Sequence, residues 1–305
     1  MGKKIAVVGS SNTDMIIKVP WIPKPGETIL GGVFTTAAGG KGANQAVGAA
    51  RAGGQVSFIA RVGQDMFGQQ AVQGFIEDGI DVECVVRDLD APSGVAQILV
   101  ADDGENSIAV ASGANGNLSP DDMRNAESKI TAADILLMQL EIPIETVEAA
   151  ADIAARNKIK IILNPAPAQQ LSYELLSKVS ILTPNQSEAE LLTGVKVENQ
   201  DDAARAAAIL MTKGVDIVIV TLGSKGAYIV SADVQEMVEG YVVKAVDATA
   251  AGDVFNGALA VGLSDGKTLS QAVSFANAAA ALSVTKLGAQ PSAPRYDDII
   301  AMQNG

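Results

Sequence analysis

The sequence predicts an α/β fold: a single large domain with a mostly parallel central sheet, helices on both faces and a small β-sheet lid. Short aliphatic runs alternate with longer amphipathic segments from end to end, the pattern of strands that pair in parallel through helical crossovers. Length alone suggests about two domains. No Pro- or Ser-rich linker and no charge block divides the 305 residues, however, so one domain is expected over 1–305. Two stretches, 14–34 and 94–111, break the alternation with extended character and no helix.

Lys3-Lys4 precede the apolar run Ile5-Ala6-Val7-Val8, which is too short for the apolar region of a signal peptide. It reads as the first buried strand and ends at Gly9-Ser10-Ser11-Asn12. The stretch 14–34 carries Pro20, Pro23, Pro25 and Gly26 in its middle, and with 94–111 it reads as hairpin-like strands. Lid strands are therefore expected over about 13–36 and 94–112. A lid excludes water during group transfer, and an apolar outer face would be covered by pairing with a second chain's lid.

A helix is expected over 42–52, where Ala43, Ala46, Val47 and Ala50 fall at i, i+3, i+4 and i+7. Similar spacing recurs after Asp65, Ile144, Asp201 and Thr268, and a further helix begins at Asp253 and runs to about Leu263. Buried strands after the first are expected at 56–60, 135–138, 159–163, 179–182 and 217–221.

Composition removes several chemistries. The chain has no histidine, which excludes Ser-His-Asp hydrolysis, phosphohistidine intermediates and histidine-ligated zinc. The one cysteine, Cys84, forms neither an internal disulfide nor a multi-cysteine metal site, in keeping with a reducing compartment. A net charge of −13 and a pI near 4.5 argue against nucleic-acid and acidic-membrane surfaces. With no apolar run of about 18 residues, the expectation is a soluble, cytoplasmic protein.

Ala250-Ala251-Gly252-Asp253 delivers a carboxylate to the first turn of a helix. Such a turn leaves backbone N–H groups unpaired and attracts anions. An acid there is either a first-turn stabiliser or a base that takes a proton from a hydroxyl attacking a phosphoryl group. Gly39-Gly40-Lys41-Gly42-Ala43-Asn44 also opens a helix, and Lys41 and Asn44 offer donors to hydroxyls or phosphate. It fits neither nucleotide fingerprint: Gln45 stands where G-x-G-x-x-G needs its third glycine, and Gly42 where a P-loop needs Ser or Thr. Gly262 to Thr268 is one residue short of a P-loop and follows a helix, so it reads as a helix end and turn.

The segments Gly39-Gly40-Lys41-Gly42-Ala43-Asn44-Gln45-Ala46 and Asp247-Ala248-Thr249-Ala250-Ala251-Gly252-Asp253-Val254-Phe255-Asn256-Gly257 resemble the two signatures of the ribokinase/PfkB family of carbohydrate kinases, in the same order and separation. Leu137 to Glu141, Leu163 to Ala168, Thr183 to Glu190 and Thr221 to Gly226 are similar to the family as well, so the resemblance spans nearly the whole chain.

The resemblance implies a ribokinase-like fold and transfer of a phosphoryl group from ATP to O5 of D-ribose, giving D-ribose 5-phosphate and ADP. Deoxyribose, fructose or another small sugar is the alternative acceptor, and a non-catalytic sugar-binding or regulatory homologue the alternative class. It makes Asp253 the general base and Ala250, Ala251 and Gly252 the anion hole. Asn12, Asp14, Gly40, Lys41, Asn44 and Glu141 would hold the sugar. Asn185, Glu188, Thr221, Gly223, Ser224, Gly226, Gly252 and Asn277 would face ATP, with Asn277 where the family can carry histidine. Mg²⁺ would arrive with ATP and keep several waters. Potassium or another monovalent cation would sit among Asp247, Thr249, Ser283, Lys286, Gly288 and Ser292, mostly on backbone carbonyls. Ala248 and Ala250 depart from the family's usual Thr and Gly; neither removes a catalytic side chain, and both bear on cation affinity. A homodimer through the lid is a further implication.

Overall fold

A computed structural model describes residues 4–304, so Lys3 and the extreme ends of the expected 1–305 domain lie outside the described residues. The first half contains β1 (Lys4–Val8), β2 (Asn12–Val19), β3 (Val33–Gly39), α1 (Lys41–Arg51), β4 (Gln55–Gly63), α2 (Met66–Glu77), β5 (Val85–Asp88), β6 (Gly94–Ala101), β7 (Asn106–Ala111), α3 (Pro120–Asn125), α4 (Glu127–Thr131), β8 (Ile135–Met138) and α5 (Ile144–Arg156). The second contains β9 (Lys160–Leu163), α6 (Tyr173–Leu176), β10 (Ile181–Leu182), α7 (Gln186–Thr193), α8 (Gln200–Thr212), β11 (Ile217–Thr221), β12 (Gly226–Val230), β13 (Gln235–Glu239), α9 (Ala251–Ser264), α10 (Leu269–Ser283) and α11 (Tyr296–Asn304).

Nine strands form the main sheet in the order β13-β12-β11-β10-β9-β8-β1-β4-β5. All pairs are parallel except β11 with β12 and β12 with β13. Strand residues alternate between two buried clusters: Ile5, Val7 and Leu137 face α1, α9 and α10, while Ala6, Val8 and Leu136 face α5 and α8. Burial on both faces explains the unbroken aliphatic runs, and the expected α/β architecture holds.

The stretches without helices form a separate four-stranded sheet, ordered β3-β2-β6-β7. The β2/β3 and β6/β7 pairs are antiparallel, whereas β2 and β6 run parallel. β2 starts at Asn12 and β3 runs on to Gly39, beyond the 14–34 expectation, so both strands end against the turn that opens α1.

The strand expected over 179–182 is reduced to Ile181–Leu182, because Val179 closes the preceding helix by donating to the Leu176 carbonyl. Ile159 is likewise held in the turn after α5, and the strand there begins at Lys160. β5, β12 and β13 were not expected from the sequence. The segment Gly262 to Thr268 is a helix end and turn, with Gly266 at φ +82 and Thr268 capping α10. No helix among the described residues is long and apolar enough to cross a membrane.

Candidate active site

Parallel strands point their C-terminal ends to one edge of the sheet, where the loops that follow can meet. Ser10 follows β1, Gln139 and Glu141 follow β8, Asn164 follows β9 and Thr183 follows β10. α1 and α9 begin at the same edge and pack on each other: a Cβ on Gly257 would lie 2.6 Å from the Ala49 nitrogen, so only glycine permits that approach.

Asp253 is the third residue of α9 and is buried. Asn44 Nδ2 donates to its Oδ2 at 3.0 Å and Gln45 Nε2 to its Oδ1 at 3.0 Å. Burial pushes the Asp253 carboxyl up; Lys41 and the two amides oppose this, and Glu141 reinforces it. Lys41, first residue of α1, is also desolvated, but Asp253, Glu141 and Glu188 outweigh that cost and raise its pKa, so it stays cationic. Ala250 precedes the helix in the left-handed region at φ 59, and the first turn borders a cleft of about 180 Å³ lined by Lys41, Asn185, Glu188 and Gly252. A Cβ on Gly252 would meet nothing within 4 Å.

Two further clefts flank this one. The first, about 730 Å³, is lined by Asn185, Thr221, Gly223, Ser224, Gly226, Gly252 and Asn277, with apolar walls from Tyr241, Val243, Phe255 and Ala281. Asn277 uses its side-chain N–H groups on the Val238 and Glu239 carbonyls. Asn185 and Glu188 form the capping box of α7: the Asn185 side chain accepts from the Glu188 N–H, and Glu188 accepts from Asn185 in return. Burial raises the Glu188 carboxyl, with Asn185 and Lys41 opposing and Asp253 adding to the shift.

The other cleft, about 460 Å³, lies beside the small sheet and is lined by Asn12, Val110, Asn115, Glu141 and Pro167. Glu141 is oriented by the Ser10 hydroxyl at 2.6 Å and by the Lys41 N–H at 3.0 Å. Asn115 Nδ2 donates to Asn12 Oδ1 at 2.7 Å. Gly40 sits at φ +88, and a Cβ there would come within 2.6 Å of the Asn12 nitrogen. Asp14 lies under Gly39, where a Cβ would clash with its carboxylate at 2.4 Å. Burial, then the charge of Glu141, lifts the Asp14 carboxyl to about 6.

The positions assigned to a monovalent cation draw together in part. Val246 and Asp247 donate their N–H groups to the Val284 carbonyl, and the Asp247 carboxylate accepts from the Thr249 and Gly288 N–H groups at 2.9 Å each. Burial would raise the Asp247 carboxyl, but these bonds outweigh it and hold it below its ordinary value. The Ser283 and Ser292 hydroxyls donate to carbonyls three residues back, and Lys286 is exposed.

Residues 2–295 match the profile of the pfkB family of carbohydrate kinases. The chain belongs to this family. It is 48% identical over 300 residues, 98% of each chain, to a ribokinase of Haemophilus influenzae. It is 38% identical to a deoxyribokinase of Salmonella typhi over 294 residues, 96% of each chain. Among solved structures of pfkB-type kinases, an Arabidopsis thaliana ribokinase complexed with ribose and ATP superposes with a TM-score of 0.92 at 33% identity, covering 100% of both chains.

Sequence reasoning gave no role to Ser10, Gln45, Asn115, Gln139, Asn164, Thr183 or Asn256, which hold the site's groups in place. One signal was present: β8, β10 and β9 after Lys160 are apolar, and Gln139, Asn164 and Thr183 are the polar residues immediately following each. A buried polar side chain there needs a partner across the sheet edge.

Proposed function

We propose that the chain transfers the terminal phosphoryl group of ATP to the 5-hydroxyl of D-ribose, releasing ADP and D-ribose 5-phosphate. The observation that carries this reading is Asp253: a buried carboxylate in the first turn of α9, held by Asn44 and Gln45 and faced by Lys41. Its height above an ordinary carboxylate suits a group that accepts a proton as the new O–P bond forms and the bond to the leaving diphosphate breaks. The N–H groups of the first turn of α9, where that of Ala251 also donates to the Ala248 carbonyl at 3.3 Å, suit the charge on the transferred group.

Asn12, Asp14, Gly40, Lys41, Asn44 and Glu141 bind the sugar in this reading. Their amides and carboxylates pair with hydroxyls that both donate and accept. The larger cleft takes the nucleotide: Asn185, Glu188, Thr221, Gly223, Ser224, Gly226, Gly252 and Asn277 surround it, and the apolar walls suit a purine. No group of three or more His, Cys, Asp or Glu among the described residues could hold a metal ion. Mg²⁺ comes with ATP in this reading, where it would supply neutralisation of phosphate charge.

The loops bearing Asp247, Thr249, Ser283, Lys286, Gly288 and Ser292 bind potassium through backbone carbonyls, since the Asp247 carboxylate is already used to join them. The chain acts as one kinase domain, with lid strands from about 13–36 and 94–112. Val33, Phe34, Ile108 and Val110 are more than half exposed on the small sheet, which supports a homodimer through the lid. The reading places the protein in the cytoplasm, with neither nucleic acid nor membrane as partner.

Deoxyribose is the second acceptor to weigh, because of the 38% identity to a deoxyribokinase. ADP release with Mg·ATP and potassium, measured across D-ribose, 2-deoxyribose, D-fructose, adenosine and no acceptor, tests the reading. Ribose-dependent turnover supports it. Preference for another acceptor overturns the substrate, and silence with all of them overturns the enzyme.

A further inference from the structure

Asp253 is one end of a continuous run of buried side-chain hydrogen bonds that proton transfer by itself does not require. Gln45 Nε2 has two hydrogens and uses both, one on Asp253 Oδ1 at 3.0 Å and one on Asn164 Oδ1 at 3.1 Å. Its oxygen accepts from Gln139 Nε2 at 2.7 Å. Asn164 Nδ2 donates to the Thr183 carbonyl at 3.3 Å, and the Thr183 hydroxyl donates to Asn256 Oδ1 at 2.7 Å. Asn256 Nδ2 closes the circuit on the Gly252 carbonyl at 2.8 Å, one residue before Asp253.

The order of donors in this circuit allows one orientation only. If the Gln45 amide turned over, its oxygen would face both the Asp253 carboxylate and the Asn164 oxygen, and two acceptors would be left buried without donors. Gln139 prevents this by presenting a donor to Gln45 Oε1. Gly9 leaves the room its side chain occupies, since any Cβ there would lie 2.1 Å from Gln139 Oε1. That oxygen is buried without a hydrogen-bond partner among the described residues. Gln139 therefore bears a cost that makes sense only through what its other end does.

We propose that Gln45, locked by Gln139, is a positioning residue for Asp253. It fixes the rotamer of the carboxylate, keeps the free lone pairs aimed at the acceptor hydroxyl, and stabilises the ionised form between substrate turnovers. The inference rests on the kinase reading of Asp253. The other charged groups facing that carboxylate are Lys41 on α1, Glu141 ahead of α5 and Glu188 on α7, and none of them belongs to the amide circuit.

The test uses Gln45→Leu and Gln139→Leu. The second leaves both donors to Asp253 in place and removes only the lock on the amide. In the ligand-free protein, the Asp253 carboxyl is titrated by carbon NMR, with Asp253→Asn identifying its resonance. In the presence of substrates, kcat is followed against pH.

Loss of one hydrogen bond to a charged acceptor moves its titration up by about one pH unit, so Gln45→Leu should raise both the resonance midpoint and the acidic limb of kcat by that amount. Its kcat at neutral pH should fall roughly tenfold, with both KM values within about threefold, as expected for a group that acts on the base rather than on binding. Gln139→Leu should move the same quantities in the same direction by less. An unmoved midpoint in both variants, or a rise in KM alone, overturns the proposal. If Gln45→Leu does not fold, Gln139→Leu decides. If the wild type releases no ADP with any sugar, the kinase reading falls while the NMR titration still decides the role of Gln45.

Discussion

Asp14→Asn should make this protein more stable while stripping it of sugar affinity. The Asp14 carboxyl is lifted from 3.8 to about 6 by burial and by Glu141, and no hydrogen bond among the described residues offsets that. A shift of about two units corresponds to about 3 kcal/mol, and discounting for partial exposure leaves about 1–2 kcal/mol. Because the folded pKa lies above the unfolded one, the folded state binds the extra proton between pH 3.8 and about 6. The relative stability of the wild type is therefore fully present below that window and lost as pH rises through it.

The amide variant carries no such penalty. Its melting temperature should exceed the wild type's by roughly 2–5 °C at pH 8, and by about half as much at pH 5. Ribose binding, followed by calorimetry without nucleotide, should weaken at least tenfold, the usual consequence of mispairing a polar site. A melting temperature below the wild type's, or a difference that is the same at both pH values, would refute the argument that Asp14 is held charged at a cost.

Asp253→Asn should fold, bind ATP and sugar, and lose roughly 10²-fold to 10⁴-fold in kcat; a loss under threefold removes Asp253 from the base role. Ala250 occupies φ 59, where a left-handed non-glycine residue costs roughly 1–2 kcal/mol. Glycine returns about 0.5–1 kcal/mol of that to the unfolded chain, so Ala250→Gly should not lower the melting temperature, whereas Ala250→Val should lower it by several degrees. Steady-state rates at equal ionic strength should be higher in potassium than in sodium or lithium, and equal rates would rule out a selective cation site.

Fold class was legible because strands buried on both faces must be aliphatic throughout, and Ile5 to Val8 or Val218 to Val220 cannot be read as anything half-exposed. The edges were not. β12 and β13 carry Tyr228, Gln235 and Glu239, mixed residues that alternation templates pass over, and the parallel pairing of β2 with β6 depends on contacts about 80 residues apart along the chain. The site divided in the same way. Gly40, Lys41 and Asp253 sit in small-residue turns that open helices, but such turns also serve packing and capping alone, and the resemblance to the two family signatures was needed to give them a role. Gln45 and Gln139 do not, since a lone glutamine carries no signal until its partner is known. Asn185 and Glu188 show the limit from the other side: the resemblance points them at ATP, and the structure shows a capping box, which orders the turn that opens α7.

The charge balance of the site bears on which cations the reaction needs. Glu141, Glu188 and Asp253 line two of the three clefts, and Lys41 is the one cationic side chain among the described residues that line any of them. A nucleotide triphosphate entering there meets a net negative field, consistent with a chain whose overall charge is −13. The positive end of α9 offsets only part of that, about half a unit charge. The proposed Mg²⁺ with ATP and the proposed cation beside the 247–249 turn would supply the remainder. The proposed role of Asp253 as a base depends on the same shortage of fixed positive charge: a second lysine near the helix end would hold the carboxylate low and spoil its affinity for a proton.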